Sequence, residues 1–120
     1  MKLAVSASQD TLDSQLNRKF GRCKFFLIVD PETMEFDTIQ NASRNASGGA
    51  GVKAAQTLAD LEVDAVLTGN IGPNAFNALT AANIDIFTGA SGTINEVIDN
   101  YNNGKLSQAN EPTTAGGDGK

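Results

Sequence analysis

The residues from 51 to 104 alternate helical patterns with short apolar runs, and this alternation constrains the fold more than any other feature of the chain. Apolar residues at helical spacing cover 51–61 and 73–82, and a capping-box pattern at 93–96 predicts the start of a third helix that ends near Gly104. The apolar runs at 65–68 and 84–87 predict strands between these helices. Because strands joined by a helix run parallel through right-handed crossovers, we expect both strands in one parallel sheet.

The first 40 residues add a strand and a β-hairpin. Residues 3–7 predict a buried opening strand, and the unbroken apolar run at 25–29 is typical of a strand covered on both faces. Pro31 indicates a turn, after which residues 34–40 alternate in part between apolar and polar types. The sequence therefore predicts an α/β fold: a mixed five-stranded sheet, with one strand antiparallel, flanked by helices.

Length and composition predict a single domain. The chain has 120 residues, of which 40% are apolar, and this is enough for one core over residues 1–106. Residues 107–120 have almost no apolar side chains, so we expect a disordered tail there. The sequence has no apolar stretch of 18 residues and no signal-peptide core. We therefore expect a cytoplasmic protein that does not contact membranes.

The content of charged residues, histidine and cysteine excludes several function classes. A formal net charge of -5 disfavours binding to nucleic acid. The chain has no histidine and one cysteine, Cys23, so an intrachain disulfide, a Cys/His zinc site and an imidazole triad are all excluded. The strand at 3–7 and residues 68–74 contain no acidic residue, which disfavours two-metal hydrolysis. The glycines do not form a dinucleotide fingerprint. We therefore expect a binding protein rather than an enzyme.

Two features indicate a site for an anion. Small-residue loops at 47–51, 69–74 and 89–93 each precede a helix, and the free amides at helix starts attract anions. Asp85 is the one charged residue between 65 and 95, so carboxylates do not oppose an anion there. The segment 18–24 holds four of the nine basic residues, and Cys23 within it is a candidate metal ligand if these cations lower its pKa.

Each feature also has an ordinary structural explanation: glycine-rich turns allow tight packing, a basic cluster is often a solvated face, and a lone cysteine is often buried. Their combination gives a candidate site that comprises Lys19, Phe20, Gly21, Arg22, Cys23, Gly69, Asn70, Gly72, Asn74, Gly89, Ser91, Gly92 and Thr93.

Several segments resemble the dinitrogenase iron–molybdenum cofactor biosynthesis family. They are MKLAVS at 1–6, FGR at 20–22 and, most specifically, VDAVLTGNIGPNAF at 63–76, with residues 92–94 and 101–106 fitting the last helix. The resemblance covers residues 1–106. It implies a ribonuclease-H-like fold and non-covalent binding of a metal–sulfur cofactor. The family includes carriers of nitrogenase cofactor precursors and the molybdenum–copper orange proteins of anaerobic bacteria.

One departure from the family pattern bears on the cofactor. Many members have histidine immediately before the Phe-Gly pair, where this chain has Lys19. The resemblance then implies the orange-protein style of binding, in which an anionic Mo–Cu sulfide cluster need not be bonded directly to the protein. A related Mo/Fe–S cluster is left open as an alternative. We expect a monomer. An alternative of another class is a cofactor-free regulatory module that docks on an iron–sulfur ATPase.

Overall fold

The structure is a computed structural model and describes residues 1–113. A six-stranded sheet has the order β3-β2-β1-β4-β5-β6. The strands are Leu3–Ala7 (β1), Phe25–Val29 (β2), Phe36–Gln40 (β3), Ala65–Leu67 (β4), Asp85–Thr88 (β5) and Ser107–Gln108 (β6). The helices are Ala50–Asp60 (α1), Pro73–Ala81 (α2) and Ile94–Asn102 (α3), and Phe20–Arg22 forms a 3₁₀ turn.

Strand directions follow from the connections. β4 is parallel to β1 and to β5, and the connections that lead into β4 and from β4 to β5 each contain a helix. The turn after β2 instead reverses the chain, so β2 and β3 are antiparallel. β2 is also antiparallel to β1. The prediction of a mixed α/β sheet flanked by helices is therefore confirmed.

The sheet has a core on each face. Alternate residues of β1 point to opposite sides, so that Ala4 packs in the cluster with α1 and α2 while Leu3 and Val5 pack with α3. Every residue of β1 and β4 is buried, as expected for strands with helices on both sides. No helix within residues 1–113 is both long enough and apolar enough to cross a bilayer.

The structure corrects the predicted strand count from five to six. β6 pairs antiparallel with β5, and beyond it the Ala109 N–H donates to the Ile86 carbonyl at 2.7 Å. These contacts are made by the main chain and need no apolar side chains, so composition does not reveal them. Of the residues expected in the disordered tail, 107–109 pair with the sheet edge and Thr113 bonds Ile71 in the loop before α2. Residues 114–120 of that predicted tail lie outside the described residues.

Candidate functional site

A pocket of about 280 Å³ lies beyond the carboxyl end of β4. Three segments line it: residues 19–22, residues 47–52 at the start of α1, and residues 70–75 at the start of α2. None of the lining residues within the described range 1–113 is acidic. The segment with the basic residues and two of the three glycine-containing loops are therefore neighbours, as the sequence predicts.

The helices α1 and α2 begin without side-chain caps. Their N-cap residues are Gly49, which has a φ of 72°, and Gly72, and neither helix has an acidic residue in its first turn. Intrahelical bonds begin with the Lys53 N–H to Gly49 and the Phe76 N–H to Gly72. The amides before these bonds have no intrahelical acceptor, so the positive ends of both helix dipoles face the pocket.

The start of α3 differs from both. The Thr93 hydroxyl accepts the Glu96 N–H at 3.2 Å, and the Thr93 N–H donates to the Glu96 carboxylate at 2.8 Å. This capping box occupies amide donors and places a negative charge at the helix start. The preceding loop packs instead on residues 12–16, where the Leu16 N–H donates to the Gly92 carbonyl at 2.8 Å.

Main-chain hydrogen bonds fix the basic segment against the α2 loop. The Asn70 N–H donates to the Arg18 carbonyl at 2.7 Å, and the Phe20 N–H donates to the Asn70 carbonyl at 3.3 Å. Gly69 allows this approach, because a Cβ there would lie 2.8 Å from the Arg18 Cα. Gly69 is therefore required for packing and does not line the pocket.

Gly21 is a second position where two backbones meet closely. A Cβ at Gly21 would lie 2.9 Å from the Cα and the N of Gly51, in the first turn of α1. The contact holds the Phe20–Arg22 turn directly against the start of the helix. Gly21 thus shapes the pocket through the absence of a side chain.

Arg22 and Asn41 connect the Phe20–Arg22 turn to the loop before α1. The Nη1 group of Arg22 donates to the carbonyls of Arg44 at 2.7 Å and of Ala46 at 2.9 Å. The buried Asn41 donates through Nδ2 to the carbonyls of Gly21 at 3.1 Å and of Cys23 at 2.9 Å. The sequence analysis missed the role of Asn41 in holding this turn. An asparagine in a stretch rich in Asn, Ser and Gly is typical of a turn residue, and no local sequence pattern indicates that it is buried.

Cys23 lies outside the pocket lining. Its thiol is buried, donates to the Phe20 carbonyl at 3.4 Å and does not line the pocket. Burial raises the pKa of the Cys23 thiol to about 12, which outweighs the opposing effect of hydrogen bonds and of Arg44. The neighbouring cations therefore do not bring the pKa of the Cys23 thiol below its ordinary value in the protein without a metal. Within residues 1–113, no group of three or more Cys, Asp or Glu side chains is arranged to hold a metal ion.

The predicted site residues thus divide into two sets. The structure brings together Lys19, Phe20, Gly21, Arg22, Asn70, Gly72 and Asn74 around the pocket. It leaves outside the pocket lining Cys23, Gly69, Gly89, Ser91, Gly92 and Thr93.

The fold and the pocket define a class of protein: a mixed α/β domain with an open pocket at the starts of two helices. The chain belongs to the dinitrogenase iron–molybdenum cofactor family, whose model matches residues 1–104. The family expected from the sequence is thereby confirmed, and membership indicates a cofactor-related binding protein.

Individual relatives cover nearly the whole chain. The apo form of the orange protein from Desulfovibrio gigas is 36% identical, with 94% of this chain and 96% of that chain covered and a TM-score of 0.91. The NMR structure of a proposed NifB protein from Thermotoga is 30% identical, covers 96% and 98% of the two chains, and has a TM-score of 0.82. An uncharacterized protein of Methanocaldococcus jannaschii is 33% identical over 109 residues, or 88% of this chain and 89% of the relative.

Proposed function

We propose that this protein is a non-catalytic carrier of an anionic molybdenum-containing metal–sulfide cluster. The cluster is a Mo–Cu sulfide or a species related to the iron–molybdenum cofactor, and it binds in the pocket between α1 and α2. The observation that carries the proposal is the convergence of two uncapped helix starts with Lys19 and Arg22 on a pocket that residues 1–113 line without an acidic side chain. Such an arrangement favours an anion over a cation or a neutral molecule.

The pocket has room for a compact inorganic anion. Its volume of about 280 Å³ equals the space of about nine water molecules in the liquid. Lys19 is exposed and lines the pocket, so its ammonium group is available to a bound anion. The ring of Phe20 packs against Phe26 at a centroid distance of 5.3 Å and forms an apolar part of the wall.

Binding without metal–protein bonds is part of the proposal, and the burial of Cys23 outside the pocket lining supports it. A thiol with a raised pKa stays protonated at neutral pH, and thiolates rather than thiols bind soft metals. The cluster would therefore arrive with its own sulfide ligands, and hydrogen bonds and charge would retain it. The likeness to the orange protein supports this proposal. A ribonuclease-H-like fold, a cytoplasmic location and a monomeric state stay predictions that accompany it.

Reconstitution tests the proposal. Apo-protein is mixed with tetrathiomolybdate and Cu(I) under anaerobic conditions, passed through a desalting column, and examined by visible spectroscopy and elemental analysis. We expect a chromophore and both metals in the protein fraction. A colourless, metal-free protein fraction would contradict the proposal; if protein from its own host were also metal-free but copurified with an iron–sulfur ATPase, the docking-module alternative would gain support.

A charge-reversal pair tests the place of binding. Lys19→Glu puts a carboxylate at the pocket, whereas Lys105→Glu makes the same change at an exposed residue after α3 that does not line it. We expect Lys19→Glu to weaken retention by about tenfold or more, since reversing a charge near a bound anion costs above roughly 1.4 kcal/mol. Equal retention in the two variants would place the cluster elsewhere.

A further inference from the structure

Residues 107–113, here called the strap, run from the edge of β5 to the pocket. They begin as β6, where Ser107 pairs with Thr88 and Gln108 with Phe87. The Ala109 N–H then donates to the Ile86 carbonyl. The strap is thus held to the sheet by its main chain before it reaches the loop between β4 and α2.

The strap ends on Ile71. The Ile71 N–H donates to the Thr113 Oγ1 at 2.8 Å, and the Thr113 N–H donates to the Ile71 carbonyl at 2.9 Å. The Thr113 hydroxyl also lies 3.3 Å from the Ile71 carbonyl, to which it donates. One threonine therefore satisfies both main-chain polar groups of a residue that belongs to no helix or strand.

Ile71 is one of the residues that line the pocket. Its side chain is 2% exposed and packs in the core, and its neighbours Asn70 and Gly72 line the pocket with it. Asn70 is held by the basic segment, and Gly72 is the N-cap of α2. Without the Thr113 hydroxyl, the amide between these two fixed points would lose its protein partner, and the loss of a hydrogen bond weakens the hold on this loop.

We infer that Thr113 is a positioning residue, which fixes the wall at Asn70–Gly72 and thereby the direction of the α2 amides that face the ligand. The inference rests on the proposed function for the identity of the ligand. The clamp itself concerns only residues of this chain, so it can be measured without any cluster.

Three full-length variants test the clamp. Thr113→Val keeps the shape but removes the hydroxyl, Thr113→Ser keeps the hydroxyl, and Thr80→Val makes the same change as Thr113→Val at an exposed position on α2. NMR hydrogen exchange of the apo-protein reports on the Ile71 amide, and the desalting assay reports on retention of the Mo–Cu sulfide cluster. We expect Thr113→Val to speed Ile71 exchange and cluster loss by up to about tenfold, the factor that one net hydrogen bond supports. Thr113→Ser and Thr80→Val should behave as wild type.

The outcomes separate this inference from the proposed function. Unchanged Ile71 exchange in Thr113→Val overturns the clamp, whatever the protein carries. Faster exchange with unchanged cluster retention overturns the positioning role while leaving the carrier function intact. A wild-type protein that binds no cluster refutes the carrier function, and the positioning of a ligand with it, even where the exchange data show the hydrogen bond.

Discussion

The uncapped start of α2 gives a sharp prediction: Gly72→Asp should make the protein more stable and a worse binder. Gly72 has φ −84° and ψ 170°, the extended conformation of an ordinary N-cap residue. An aspartate can therefore adopt this backbone without strain and accept hydrogen bonds from amides of the first turn. Those amides are the ones that we assign to the anion, so the new side chain competes with the ligand.

The two effects have magnitudes that can be worked out separately. Replacing glycine by a capping residue adds a few tenths of a kcal/mol, and the carboxylate gains about 0.3–1 kcal/mol from the helix dipole. The sum of about 0.5–1.4 kcal/mol should raise Tm by about 2–6 °C in a domain of this size. A carboxylate about 6 Å from an anion, at an effective dielectric constant of about 20–40, costs about 1.4–2.8 kcal/mol per unit charge. Cluster affinity should fall by about ten- to hundredfold.

Thermal unfolding followed by circular dichroism measures the first effect, and the desalting assay with the Mo–Cu sulfide cluster measures the second. Asn77→Asp is the matched control, because it adds the same charge at an exposed residue of α2 outside the pocket lining. Gly72→Asn adds a cap without a charge, so it should stabilise the fold with a smaller loss of binding. If Gly72→Asp binds the cluster as well as Asn77→Asp does, the start of α2 is not the anion site.

Three further predictions concern the supports of the pocket. Asn41→Leu removes two hydrogen bonds of a buried side chain and should lower the unfolding free energy by about 2–3 kcal/mol in urea titrations. Asn45→Leu, on the exposed part of the same loop, should change it by less than about 0.5 kcal/mol. Gly69→Ala should cost about 1–3 kcal/mol by overpacking against backbone, while Gly48→Ala, whose Cβ meets nothing within 4 Å, should be far milder; equal losses would contradict the packing role. Because burial raises the pKa of Cys23 from 9.0 to about 12, the thiol's contribution to stability is complete below pH 9 and is lost as the pH rises to 12. Over that window the unfolding free energy of wild type should fall more steeply than that of Cys23→Ala, by up to about 1.4 kcal/mol per pH unit, and parallel curves would refute the burial of the thiol.

Much of the fold is predictable because its elements differ in periodicity. The run at 25–29 and the alternation after residue 51 predict β2 and the series α1-β4-α2-β5-α3, with bounds within two residues of those observed. β6 is different, since two residues that pair through main-chain groups leave no apolar pattern. The same reason hides Thr113, whose partner is an amide 42 residues away in sequence.

The candidate site is predictable where topology alone brings residues together. Loops at the carboxyl ends of parallel strands share one end of the sheet, so the approach of residues 19–22 to the α2 loop follows from strand order. Side-chain roles within the site do not follow from order. The guanidinium of Arg22 donates hydrogen bonds to two main-chain carbonyls as well as lining the pocket. The contacts of Asn41 with carbonyls depend on its burial, which is a property of the folded chain.

The start of α3 is not part of the anion site because its first amides already have partners within the protein. The side chains of Thr93 and Glu96 accept each other's main-chain amides. The Ile94 and Asn95 amides between them donate to main-chain carbonyls of residues 14 and 12. Amides so occupied cannot also receive an external anion. Gly49 and Gly72 have no side chain with which to form such bonds, so α1 and α2 keep their donors. All three helix starts contain glycine, so glycine alone does not indicate which of them binds a ligand. The cap does: amides at a capped start already have hydrogen-bond acceptors, whereas amides at an uncapped start can still bind an anion. The pocket lies at the starts of α1 and α2, the two helices that lack side-chain caps.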